Sequence, residues 1–133
     1  MALKANYATE AQEQEKLIRW LQIKKIFHWA NVQENQGSFL NRKVAMIQAV
    51  KAKKMGKMRG LPDVTVMLPD KMLFIEMKRA PKILMSGKKS MAGINVSDHQ
   101  KEFIKRLAAF DYCESRICYG FKEAQDFIQN NIE

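Results

Sequence analysis

The sequence predicts an α/β fold in which a mixed central β-sheet of about four strands is flanked by helices. Segments of helical period alternate with short β-branched and aromatic runs, in the order α-β-α-β-β-α-β-α. Two apolar runs, Val64–Leu68 and Met72–Met77, flank Pro69-Asp70, as a tight hairpin requires. The length of 133 residues, with 47% hydrophobic and 28% charged side chains, suits a single domain over residues 1–133 with one core.

The elements follow in chain order. Ala8 to Lys25 reads as a helix, with Thr9 and Gln12 spaced as a capping box and Leu17, Ile18, Trp20 and Leu21 as the apolar stripe. Ile26–Val32 is short, aromatic and β-branched, hence a strand. Asn35 to Ser38 has loop composition. Arg42 to Lys57 has helical spacing, with Val44, Ile47 and Val50 expected on the buried side. Gly56 and Gly60 bracket a turn into the hairpin. Ala80 to Val96 reads as irregular, carrying Pro81, Gly87 and Gly93. Ser97 or Asp98 caps a helix to about Phe110, with Phe103, Ile104 and Leu107 inward. Ser115–Tyr119 is a strand and Lys122–Asn130 a last helix.

The hairpin brings charges together. Centred on Pro69-Asp70, it pairs Val66 with Leu73 and Asp63 with Glu76, whose Cβ atoms would lie about 5 Å apart. Glu76 and Lys78, two apart in a strand, share a face. Two carboxylates at that separation repel, and a divalent cation relieves the repulsion. Oxygen ligands suit magnesium or manganese. The alternative makes Asp63 a turn residue and Glu76–Lys78 a surface pair on an edge strand. Against it, Glu76 interrupts the apolar run LFIEM. The order Pro-Asp, gap, Glu-x-Lys also supplies what metal-assisted attack on a phosphodiester needs: carboxylates for the ion and an ammonium for developing negative charge.

The net charge of +9 and pI of about 9.7 make a polyanion the first partner to consider. No apolar run approaches the ~18 residues that span a bilayer, and the N-terminus lacks the apolar stretch of a secretion signal. Spacing allows a Cys113–Cys118 disulfide, but a reduced, intracellular pair is the expectation. Zinc would need more ligands than these and the distant His28 and His99 provide. His28 alternates with Phe27 and Trp29 as a sheet residue.

Acids are segregated from bases. Asn35 to Pro62 has none, yet carries Arg42, Lys43, Lys51, Lys53, Lys54, Lys57 and Arg59. Met77 to Ser97 has none either, and carries Lys78, Arg79, Lys82, Lys88 and Lys89. Such a surface binds phosphates without reading sequence. Phe39 is the one aromatic in these windows, which favours duplex or branched DNA over single strands.

Pro62-Asp63 with Glu76-x-Lys78 matches the PD-(D/E)XK nuclease signature, which is permissive taken alone. More of the chain resembles the VRR-NUC branch, the virus-type replication-repair nucleases. The matching features are the acidic helix EAQEQEKLIRWL, Asn31 of HWAN, a basic helix, the turn Gly60-Leu61-Pro62-Asp63, the LFIEMK strand and Gln100 opening a helix, spanning about Glu10 to Phe127. The resemblance implies a restriction-endonuclease-like fold and magnesium- or manganese-dependent DNA cleavage. It implies metal ligation by Asp63, Glu76 and the main-chain carbonyl of Met77, a catalytic role for Lys78, and Gln100 near that lysine. It also implies a helix glutamate reaching the metal through water. Glu10 is the choice, with Glu13 and Glu15 as rivals read as solvated. The residues VQENQGSFLNRK after Asn31 depart from the family pattern and put any role for Asn31 in doubt. Small stand-alone members come from phages and bacteria and resemble structure-specific nucleases, including four-way-junction resolvases. This implies DNA replication, recombination or repair in a bacterial cytoplasm and a homodimer with two active sites. The rivals are a non-catalytic DNA-binding module on the same fold and a small oligomeric interaction protein whose positive face is incidental.

Overall fold

The computed structural model describes residues 7–31 and 42–132. The expected loop at Asn35–Ser38, and Phe39, lie outside the described residues. The elements are α1 (Glu10–Lys24), β1 (His28–Ala30), α2 (Arg42–Lys54), β2 (Val64–Met67), β3 (Met72–Lys78), β4 (Lys82–Ile83), β5 (Lys89–Ser90), α3 (Asp98–Leu107), β6 (Cys113–Tyr119) and α4 (Phe121–Ile132).

The central sheet has four strands in the order β1-β2-β3-β6. β1 and β2, and β2 and β3, run antiparallel, while β3 and β6 run parallel, so the sheet is mixed as expected. The hairpin register is also the expected one, with Val66 opposite Leu73 and Val64 opposite Ile75. One apolar core forms where Leu17 and Leu21 of α1 and Ala124, Phe127 and Ile128 of α4 meet Val64, Val66, Leu73, Ile75, Met77 and Cys118 of the sheet. α3 packs on β6. β3 is covered by strands on both edges and by side chains on both faces, the environment of a central strand in a layered α/β fold.

Helix starts are set locally. The Thr9 hydroxyl accepts from the Gln12 N–H while the Gln12 side chain accepts from the Thr9 N–H, and Ser97 and Gln100 repeat the arrangement on α3.

Two expectations are corrected. No residue of α2 is buried, and Ile47 and Val50 are 50% and 56% exposed. The periodicity of Val44, Ile47 and Val50 describes a helix, but α2 has no substantial packing partner among the described elements to cover its apolar side. The segment from Ala80 to Val96 is not wholly irregular. It contains the antiparallel β4–β5 hairpin, because Gly87 adopts φ +82 and lets the chain reverse so that the Leu84 N–H reaches the Lys88 carbonyl at 2.8 Å.

Both cysteines are free. They lie five residues apart on β6, about 16 Å in an extended strand and too far to bridge. Among the described residues no helix is long and apolar enough to cross a membrane.

Candidate active site

Along β3, Leu73, Ile75 and Met77 belong to the core, so Phe74, Glu76 and Lys78 share the other face. Glu76 is 2% exposed and Lys78 7%, which excludes a surface pair on an edge strand. Asp63 precedes β2, where continuation of the ladder sets it opposite Glu76. Its Oδ2 accepts from the Met77 N–H at 2.7 Å, so the backbone of Met77 lies in the same cluster.

The approach of Asp63 is held by Asn31. The Asn31 N–H donates to the Asp63 carbonyl at 2.8 Å. Its Nδ2 donates to the Pro62 carbonyl at 2.9 Å and to Thr65 Oγ1 at 3.0 Å. Whatever follows Asn31 in sequence, the residue itself pins both sides of Asp63.

α1 delivers the third carboxylate. Carboxylate oxygens of Glu10, Asp63 and Glu76 lie within 4.8 Å of one another. Glu13 is not solvated, contrary to expectation. It is buried, accepts the Phe121 N–H at the start of α4 at 3.2 Å, and pairs with Lys16 at 3.4 Å. An anion suits that position, where α4 exposes unpaired N–H groups. Glu15 is exposed beside Arg19, as expected.

Gln100 and Lys78 converge on one oxygen. Glu76 Oε1 lies 2.6 Å from Gln100 Nε2 and 3.6 Å from Lys78 Nζ. The Gly60 turn allows this. With Gly60 at φ +79, a Cβ there would sit 2.3 Å from the carbonyl carbon and oxygen of His99, so only glycine lets the turn press against the start of α3. His99 is exposed, and the ring of His28 turns back to the Ile26 carbonyl, 2.7 Å away.

Burial raises the pKa of all three carboxylates. Glu76 is pushed up to about 8, by burial first and the facing Asp63 charge second, against the pull of Lys78. Burial raises Asp63, opposed by the Met77 N–H. Burial also raises Glu10, which Lys78 opposes. Glu76 Oε2 is buried without a hydrogen-bond partner. When both groups are ionised, Asp63 and Glu76 offer each other only acceptors, so a shared proton or a cation must lie between them. An all-oxygen, anionic cluster with one orphaned oxygen fits a hard divalent cation.

Of the basic residues, Arg42, Lys43, Lys51, Lys53 and Lys54 lie exposed on α2, Lys57 and Arg59 follow it, and Lys88 and Lys89 lie on the second hairpin. Arg79 is differently engaged, its guanidinium donating to the carbonyls of Ala80 and Ala92. A groove of about 860 Å³ is lined by Tyr7, Gln12, Arg19, Arg79 and Lys82 among others, and by none of the cluster's three carboxylates.

Sequence reasoning missed Glu13 and left Asn31 undecided. A signal for Glu13 was present, since it extends the inward Leu17–Leu21 stripe by one turn. Nothing local marks Asn31, whose partners lie more than 30 residues away.

The architecture is therefore a mixed four-stranded sheet between helices, with an acidic cluster and a buried lysine at the meeting of α1, the β2–β3 hairpin and α3. No family model matches the sequence, and no curated protein matches it. A solved structure described as a VRR_NUC domain protein matches with a TM-score of 0.68, covering 98% of this chain and 91% of that one at 22% identity. The chain has the VRR-NUC domain fold.

Proposed function

We propose that the chain, as one domain over residues 1–133, is a metal-dependent DNA endonuclease. Its substrates would be branched DNA, including four-way junctions, in phage or bacterial replication, recombination or repair. The observation that carries this reading is the convergence of Glu10, Asp63 and Glu76 from separate elements beside the buried Lys78. Asp63 and Glu76, the Met77 carbonyl, and Glu10 through water would hold magnesium or manganese. Bound there, the ion supplies Lewis acidity at the phosphodiester and lowers the pKa of water.

The chain's own residues do the rest. Lys78 stabilises negative charge developing on the phosphate or orients the attacking water. Gln100 fixes the orientation of Glu76 through the 2.6 Å bond. The basic residues of α2, with Arg59, Lys88 and Lys89, hold the DNA backbone, and Arg79 supports them from the base of the hairpin. Resolving a four-way junction needs two cuts, so a homodimer is the proposed working unit.

The test is a panel of linear, flap, splayed and four-way DNAs incubated with magnesium or manganese. Branched substrates are expected to be cut, and neither chelated protein nor Lys78→Ala should cut them. Binding without cleavage under either metal would instead make this a non-catalytic DNA-binding module.

A further inference from the structure

The β4–β5 hairpin leaves the sheet directly after Lys78, through Arg79-Ala80-Pro81. Its base is braced. The Tyr7 hydroxyl donates to the Ile83 carbonyl and accepts from the Ile83 N–H, both at 3.3 Å, and the Lys82 ammonium lies 5.9 Å from the centre of the same ring. Arg79 holds the returning arm through the Ala92 carbonyl. The tip is closed by backbone bonds of 2.8 Å from the Leu84 N–H to the Lys88 carbonyl and from the Gly87 N–H to the Leu84 carbonyl.

The backbone is thus held in shape while its side chains stand in water. Met85 is 96% exposed, and Ile83 and Leu84 are 62% and 50% exposed. These side chains add nothing to the core. The surrounding chain from Met77 to Ser97 has no acid, and Lys82, Lys88 and Lys89 flank the tip. An apolar point ringed by cations complements a nucleic acid, whose phosphates meet the lysines and whose base stack accepts the apolar side chain. The seven residue-to-residue steps from Lys78 to Met85 span at most ~25 Å. That is less than one ~34 Å turn of duplex, so the tip lies within one helical turn's length of the carboxylates.

We propose that Leu84 and Met85 form a wedge that enters the base stack within one helical turn of the cleaved phosphate, unstacking a step beside the cut. This rests on the reading of the chain as a DNA nuclease, and it names the recognised feature as a weakly stacked step, such as the centre of a branch.

The test uses the full chain with calcium in place of magnesium, on branched DNAs carrying 2-aminopurine at successive positions. The wild type should raise fluorescence roughly threefold at one or two positions near the branch, as an unstacked base does. Leu84→Ser with Met85→Ser, both exposed and so compatible with folding, should abolish the rise. That variant should also bind branched DNA ~10-fold more weakly, with an unchanged salt slope. Lys88→Ala with Lys89→Ala should keep the rise at saturation and lower the salt slope by about two. The wedge is refuted by no rise at any position, or by a serine variant that matches the wild type. It is equally refuted if the serine changes abolish binding to phosphatidylserine vesicles and leave the DNA signal intact. Cleavage in magnesium is followed in parallel. Cleavage without unstacking overturns the wedge alone, and unstacking without cleavage overturns the nuclease reading while supporting the wedge.

Discussion

Gln100 starts α3 and orders Glu76 with one side chain. Its Oε1 accepts from the Ser97 N–H at 2.9 Å, completing the capping box, while Nε2 donates to Glu76 Oε1 at 2.6 Å. The helix terminus and the buried carboxylate are therefore coupled. Gln100→Ala should lower stability by about 1–2 kcal/mol in urea unfolding and weaken manganese binding. Gln100→Glu keeps the cap, because Glu serves at that position, but sets a third acceptor against Glu76. It should lose metal affinity with a smaller loss of stability. Equal effects of the two changes would show that the contact with Glu76 alone matters and the cap contributes nothing; an unaffected Gln100→Glu would show the reverse.

Asp63→Asn or Glu76→Gln should abolish cleavage while DNA binding persists or tightens, since each removes an anion facing the phosphate. Glu76→Gln should in addition leave the metal-free protein as stable as the wild type or more so at pH 8, because the group it replaces is a buried charge short of partners. Wild-type nicking rates in magnesium for either variant would remove that residue from the site.

The pH dependence has a definite sign. The folded-state pKa of Glu76 is raised to about 8, and those of Asp63 and Glu10 are raised as well. A raised carboxylate pKa contributes stability below the unfolded value, near 4.5 for Glu, and that contribution is lost as pH climbs through the folded value. Chelated protein should therefore melt at falling temperature from pH 5 to pH 8.5. Magnesium or manganese should restore the loss, with a Tm gain larger at pH 8.5 than at pH 6. A metal-induced gain independent of pH would mean that the ion binds elsewhere.

Gly60→Ala should be among the most damaging surface-accessible changes. It combines a φ of +79 with a backbone contact at 2.3 Å, so the turn must withdraw from α3. A loss of about 2–4 kcal/mol is expected, with reduced metal affinity because Asp63 and Gln100 separate. Urea unfolding and manganese calorimetry measure the two effects, and a loss below ~1 kcal/mol would show that the turn relaxes without strain.

Charge reversal at Lys53 and Lys54, exposed at the end of α2, should weaken binding to all DNA sequences alike. Each neutralised phosphate contributes about 0.9 to the slope of log affinity against log salt, so the double reversal should flatten it by roughly two. Anisotropy titrations at several salt concentrations decide this, and parallel lines for the two proteins would return α2 to a solvated face.

Much of the fold is legible in the sequence because its causes are local. Thr9 with Gln12 and Ser97 with Gln100 start helices through bonds three residues long, and Pro69-Asp70 sets a register that follows from strand geometry alone. That register already places Asp63 opposite Glu76 and Lys78 beside Glu76. The tertiary structure decided what depends on distant partners. It lodged Glu13 against Phe121, 108 residues away, and turned Glu10 to the acidic cluster, although both stand on one helix of mixed charge. It gave Asn31 its place by setting Pro62 and Thr65 beside it. It left Ile47 and Val50 uncovered, although their spacing is that of a buried stripe. Periodicity states which side chains share a face, since backbone geometry fixes that within one turn. Whether the face meets core, water or another charge depends on what the rest of the chain packs against it, because burial energy belongs to pairs of surfaces and not to either one alone.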